Sequence, residues 1–280
     1  MSRLRLTLLT LFAMIAFAGN SLLCRMALKH SGIDPASFTT IRIVSGAITL
    51  WLIVRVRDGT AGLLGNWPSA LALFMYAAAF SFAYLSLSAG TGALLLFGAV
   101  QATMIGYSRW TGNRLAARQK LGLLLALGGL VGLMLPGLSA PALNGSLLMV
   151  AAGVSWGVYS LHGRGGGDPL RVTAGNFMRA VAPAALLSVA MLPAASLDRS
   201  GVGFAVASGA LASGVGYAIW YTALAGLKVT SAATVQLSVP VIAAMAGIAL
   251  LDEELSLRLL VASCAILGGI SLVVIQRARM

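Results

Sequence analysis

With 59% of its 280 residues hydrophobic, 9% charged and a mean hydropathy of +0.93, the chain excludes a water-soluble domain, in which about a quarter of residues carry charge. Its formal charge of +12 needs no nucleic-acid partner, because all of the nineteen Lys and Arg except Arg42 and Arg179 lie outside ten apolar stretches or at their very ends and act as a topology signal. Cys24 and Cys264 belong to different stretches and imply no disulfide framework.

The apolar stretches predict ten membrane helices, each close to the ~17–25 residues a bilayer core requires. The first, 5–24, begins on Arg5 just after Arg3 and carries Phe17 and Asn20. Its Ala16-Phe17-Ala18 imitates a signal-peptide cleavage site, but the segment recurs at the start of the second half and is read as a retained span. The second, 35–54, contains Arg42; the third, 68–88, places Tyr76, Phe80 and Tyr84 four residues apart on one face. The fourth, 91–108, carries Phe97 and Gln101, and the fifth covers 121–136. The sixth, 143–162, carries Trp156 and Tyr159 and ends on His162; the seventh, 172–193, contains Arg179. The eighth, 202–223, combines the small residues Gly209, Ser213, Gly214 and Gly216 with Tyr217, Trp220 and Tyr221. The ninth, 229–250, carries Gln236, and the tenth covers 257–275.

Charge orients these helices. Alternate gaps hold Arg3, Arg5, Arg55, Arg57, Arg109, Arg114, Arg118, Lys120, Arg164, Arg171, Lys228, Arg277 and Arg279, against Arg25, Lys29, Arg199 and Arg258 in the other set. This bias over short loops puts both termini in the cytoplasm, and a bacterial inner membrane is the expected location. A shift of about 137–140 residues superimposes the two halves, 1–138 and 139–280, as internal repeats do. Phe17–Leu22 falls on Trp156–Leu161, Arg42 on Arg179, Phe80 and Tyr84 on Tyr217 and Tyr221, and Gly128-Gly129 on Gly268-Gly269. Five helices per half is an odd number, so the second half crosses the membrane in the opposite sense. The loop from Arg109 to Lys120 is cationic, whereas its counterpart carries Asp252, Glu253 and Glu254 with Arg258. The fold expected is an all-α membrane protein of ten transmembrane helices, two inverted five-helix repeats around a central cavity.

The paired arginines Arg42 and Arg179, the run Thr230-Ser231-Ala232-Ala233 through Pro240-Val241, Leu251–Leu255 and Ala265–Ile270 resemble the drug/metabolite transporter superfamily, in its EamA-type two-repeat branch. The first half departs from the pattern: Gln101 stands opposite Pro240, and Asn113-Arg114 opposite Asp252-Glu253. The resemblance implies ten helices, cytoplasmic ends, a central cavity and export of small metabolites, and it is nearest to exporters of aromatic amino acids.

The expected substrate-cavity residues are Phe17, Asn20, Tyr76, Phe80, Tyr84, Phe97, Gln101, Trp156, Tyr159, Tyr217, Trp220, Tyr221 and Gln236. Aromatic faces suit a bulky, partly apolar ligand, and amides in hydrocarbon rarely face lipid. The competing role for the rings is an interfacial belt or ordinary packing, and for the amides interhelical bonding. Arg42 and Arg179 have two roles open to them, a clamp for a substrate carboxylate or a scaffold that snorkels to the nearer interface or bonds carbonyls of a neighbouring helix; their presence in both halves favours the scaffold. His162 reads as a solvated helix end rather than a proton relay. All seven acids, Asp34, Asp58, Asp168, Asp198, Asp252, Glu253 and Glu254, fall in loops or at helix ends, which argues against cationic drugs and a carboxylate proton relay. The expected function is alternating-access export of aromatic and other large neutral amino acids (Phe, Tyr, Trp, Met), as a uniporter or facilitator. The alternative is a broad-specificity exporter of metabolites or drugs. No enzymatic activity, metal or cofactor is expected; the partners are the amino-acid substrate and the lipid bilayer, with a single chain sufficient.

Overall fold

The structure, a computed structural model, describes residues 2–60, 62–112, 116–137, 140–162, 167–227, 232 and 235–277. Arg114, Arg164, Lys228 and Arg279 of the charge pattern, and Asn113, Thr230, Ser231 and Ala233 of the resemblance, lie outside the described residues, as does the side chain of Arg277.

The described residues form helices and connecting turns without a strand. The helices are α1 (Arg3–His30), α2 (Pro35–Asp58), α3 (Trp67–Ala83), α4 (Ala89–Trp110), α5 (Ala117–Met134), α6 (Leu143–His162), α7 (Pro169–Ala190), α8 (Arg199–Leu224), α9 (Ser238–Leu251) and α10 (Leu257–Arg277). By length and composition, α1, α2, α4, α5, α7 and α8 can each cross a bilayer core, while Trp67–Ala83, Ser238–Leu251 and Leu257–Val273 are apolar but shorter. Large side chains such as Leu11, Phe12, Trp51, Leu124, Leu186 and Met245 stay exposed, an arrangement that suits hydrocarbon rather than water.

Local chemistry sets the ends. Asp34 accepts hydrogen bonds from the Ala36 and Ser37 N–H groups at 2.9 Å each, and Pro35 follows as the first helical residue of α2. Proline there gives up an N–H that has no helical partner anyway. Asn66, Ser88, Asp168 and Asp198 cap α3, α4, α7 and α8 in the same way. Burial raises the Asp168 carboxyl, but bonds from Arg57 and the Arg171 N–H together outweigh it and hold the group below the ordinary carboxylate range. The acids thus serve as helix ends. Several boundaries differ from expectation; α9, for one, begins at Ser238 rather than 229, and α7 spans Pro169–Ala190 rather than 172–193. Helix α1 runs on to His30, carrying Arg25 and Lys29 on its last turns rather than in a loop. Helix α3 stops at Ala83 instead of continuing to residue 88, because residues 84–87 turn toward the Ser88 cap of α4.

Packing recurs with an offset of five helices. Helix α1 packs on α8 and α9, as α6 packs on α3 and α4; α2 packs on α8, as α7 packs on α3. The pairs α2/α7, α4/α9 and α5/α10 map onto themselves under this exchange. At the α5/α10 crossing the backbones touch: a Cβ on Gly122 or on Gly269 would overlap the other residue's carbonyl oxygen. Small residues permit this approach where there is no water to expel. A Cβ on Gly268, by contrast, would meet nothing within 4 Å. Gly269→Ala is therefore expected to cost about 1–3 kcal/mol of overpacking, whereas Gly268→Ala leaves stability unchanged or slightly raised. Thermal unfolding of the two purified variants in one detergent checks this; equal melting temperatures would contradict the crossing described.

Candidate functional site: an aromatic cavity

A cavity of about 390 Å³ lies among the helices, within the common range for small-molecule sites. It is lined by Phe17, Asn20 and Ser21 of α1, Tyr76 and Phe80 of α3, and Phe97 and Gln101 of α4. Helix α6 contributes Trp156 and Tyr159, α8 contributes Tyr217, Trp220 and Tyr221, and Gln236 comes from just before α9. Twelve of the thirteen residues singled out from the sequence thus border one space.

Tyr84 is the exception and is corrected. Its ring, one helical turn beyond Phe80, is fully buried edge-on against it, 4.8 Å between centroids, and its hydroxyl donates to the Ala89 carbonyl at 3.3 Å. It packs behind the wall.

The rings form a continuous array. Trp156 stacks on Tyr217 (5.5 Å, 20°) and on Tyr159 (5.2 Å, 29°), and meets Tyr76 at 4.8 Å. Phe17 bridges Tyr217 and Trp220 at 5.7 and 5.9 Å. The array joins residues 17, 76, 156 and 217 from four helices of both halves, and each such pair adds about 0.5–1.5 kcal/mol beyond its buried area.

Polar groups interrupt the aromatic surface at two places. On one side the Ser208 hydroxyl donates to Asn20 Oδ1 at 2.6 Å, while Asn20 Nδ2 and Arg42 Nη2 donate to the Tyr76 hydroxyl at 3.4 and 3.1 Å. On the other, Tyr159 donates to Thr173 Oγ1 at 3.4 Å and Thr173 to the Tyr221 hydroxyl at 3.0 Å. Ser21, Thr173 and the supporting Ser208 escaped sequence reasoning, and Ser213 was read there only as a small residue. Their signal was the four-residue spacing of Ser213 before Tyr217 and the three-residue spacing of Thr173 before Asn176, weak for hydroxyls in a chain of small residues.

The two intramembrane arginines part company. Arg179 Nη1 donates to the Leu64 and Gly175 carbonyls, both at 2.9 Å, tying α7 to the segment before α3. Arg42 is 2% exposed, so snorkelling to an interface does not apply. Its guanidinium sits 5.2 Å from the Tyr76 ring centroid and 4.9 Å from that of Phe80.

The lining residues cluster toward the C-terminal ends of α4, α6 and α8 and the N-terminal end of α7; the opposite end is packed and pinned. There Arg25 Nε meets Glu253 Oε1 at 3.3 Å and Arg25 Nη1 donates to the Tyr84 carbonyl at 2.8 Å. Glu253 Oε2 accepts from the Ala89 N–H at 2.8 Å, at the N-terminus of α4, where a helix favours negative charge. Lys29 Nζ donates to the Leu251 carbonyl at 3.4 Å. One carboxylate thus joins α1, α4 and the α9–α10 turn.

Residues 143–275 match the EamA-like transporter family. The chain carries an EamA-like transporter domain. It is accordingly a multi-pass membrane protein that transports small molecules. An uncharacterised Pseudomonas aeruginosa protein, PA1977, is 57% identical over 274 residues, covering 98% of this chain and 96% of the relative. A solved crystal structure superposes over the whole of both chains with a TM-score of 0.68 at 20% identity, a likeness that concerns fold alone.

Glu253→Gln strips the pinned end of its charge and leaves Arg25, only 12% exposed, without a counter-ion. Breaking such a pair is expected to cost about 3 kcal/mol. Thermal unfolding of the purified variant measures the loss, and an undiminished melting temperature would show that the ion pair holds nothing together.

Proposed function

We propose that this protein is an alternating-access exporter or facilitator of aromatic and other large neutral amino acids. The observation that carries the reading is the cavity: stacked rings from both halves line it, and no Asp or Glu stands among its described lining residues. Stacked rings favour a flat apolar side chain, and the hydroxyls and amides at their margins favour a polar head. A wall without carboxylates disfavours an isolated cation.

On this reading the chain has ten spans, in two inverted repeats, 1–138 and 139–280, with both termini in the cytoplasm of a bacterial inner membrane. The recurrence of helix contacts at an offset of five supports the repeats. The charge bias supports the orientation. The cavity then opens toward the cytoplasm, and the Arg25–Glu253 pin closes the outer end. Export requires that pin to open while helices near the inner end draw together, exposing the site alternately. A single chain suffices, and transport runs down the solute's gradient.

Liposomes containing the purified protein and preloaded with radiolabelled phenylalanine are expected to release it faster than protein-free liposomes, with or without a proton gradient. Trp156→Ala is expected to slow release at least about twofold, since each ring pair contributes about 0.5–1.5 kcal/mol. Tyr84→Phe, behind the wall, is expected to transport like the parent. No release of any amino acid in a panel, together with release of cationic dyes, would favour a drug exporter instead.

A further inference from the structure

Arg42 combines burial with the lack of a counter-ion. A guanidinium stays charged at every accessible pH, and an unpaired ion in a low-dielectric interior is costly to keep. Among the described residues the ion pairs are Arg25–Glu253, Arg57–Asp58 and Arg57–Asp168; none includes Arg42. Arg42 Nη1 is buried and has no hydrogen-bond partner. Its repeat-mate Arg179 uses backbone carbonyls, so the two positions do different work.

The unspent charge reaches the cavity through Tyr76. The Tyr76 oxygen accepts from both Arg42 Nη2 and Asn20 Nδ2, which occupies its two lone pairs. Its own proton is therefore committed to donating, and Tyr76 lines the cavity. A phenol that accepts from a guanidinium is polarised toward donation, and hydrogen bonds with an ionised partner are about twice as strong as neutral ones. The strongest acceptor for it is an anion, whose charge would also compensate Arg42.

We propose that Tyr76, backed by Arg42 and held by Asn20, forms a carboxylate subsite, so that the solute is selected by its carboxylate and not by its amine. The Tyr76 hydroxyl donates to the carboxylate directly; Arg42 is a positioning residue that supplies charge through Tyr76. This rests on the transport reading above and sharpens it: no acid among the described residues lines the cavity to recognise an ammonium. Aromatic monocarboxylates without an amine are thereby substrates of the same site.

Four probes test the subsite by equilibrium binding to the purified protein: phenylalanine, 3-phenylpropionate, phenylalaninamide and phenethylamine. The two carboxylates are expected to bind within about fivefold of each other and at least about tenfold more tightly than the two amines, the scale of a hydrogen bond to a charged group. Tyr76→Phe keeps the ring and the guanidinium but removes the donor, and it is expected to erase that preference. Arg42→Gln is expected to do the same, with Arg42→Lys restoring part of it. Should Arg42→Gln fail to fold, Tyr76→Phe alone carries the test. A purely structural Arg42 would lower the melting temperature of Arg42→Gln and leave its carboxylate-to-amine ratio intact, which overturns the proposal. Equal binding of all four probes to the parent overturns the subsite and leaves the aromatic-cavity reading standing. Binding of none of them removes the amino-acid reading and the subsite together.

Discussion

Helices in hydrocarbon gain nothing from expelling water, so their association depends on how closely backbones approach. Glycine sets that distance in this bundle. Gly122 and Gly269 let α5 and α10 touch, the Leu64 carbonyl fits against Gly175 of α7, and the Arg42 carbonyl fits against Gly209 of α8. Where tyrosine, tryptophan and phenylalanine replace small residues on facing surfaces, helices stand apart and space opens. The cavity and the tight crossings are two results of one rule, applied at different depths.

Polarity is distributed with similar economy. Asp34, Asp168 and Asp198 are consumed by capping helix N-termini, and Glu253 by joining Arg25 to the start of α4. What lies at mid-depth is uncharged, apart from Arg42 and Arg179. The second of these is absorbed by carbonyls. The first borders the ring array with donor capacity to spare, an imbalance that an ordinary structural residue does not retain.

Much of this was legible in the chain. Hydropathy located the helices, and four-residue spacing placed Tyr76 and Phe80 on the cavity face, because those rules act within one helix. Tyr84 was misplaced because, although the spacing keeps it on the face of Phe80, it lies a turn further along, where Phe80 and the start of α4 cover it and the cavity no longer reaches. The contrast between Arg42 and Arg179 could not be read, because both occupy equivalent sequence positions and differ only in what other helices bring near them. The same holds for Arg25 and Glu253, 228 residues apart. Loop acids look interchangeable until folding decides which one meets a cation.

Helix α8 contains a π-helical stretch, Ser208–Val215, between two α-helical segments. Wider turns rotate each residue less about the axis than α-helical turns do, and such irregularities gather at functional sites. A helical wheel drawn uniformly from Arg199 to Leu224 therefore loses phase midway. Ser208 and Tyr217 both reach the interior, yet an unbroken period of 3.6 would not align them. Comparisons of this segment among homologous sequences should treat its two ends as separate registers, since one inserted or deleted residue within the wide turns would change which rings face the solute.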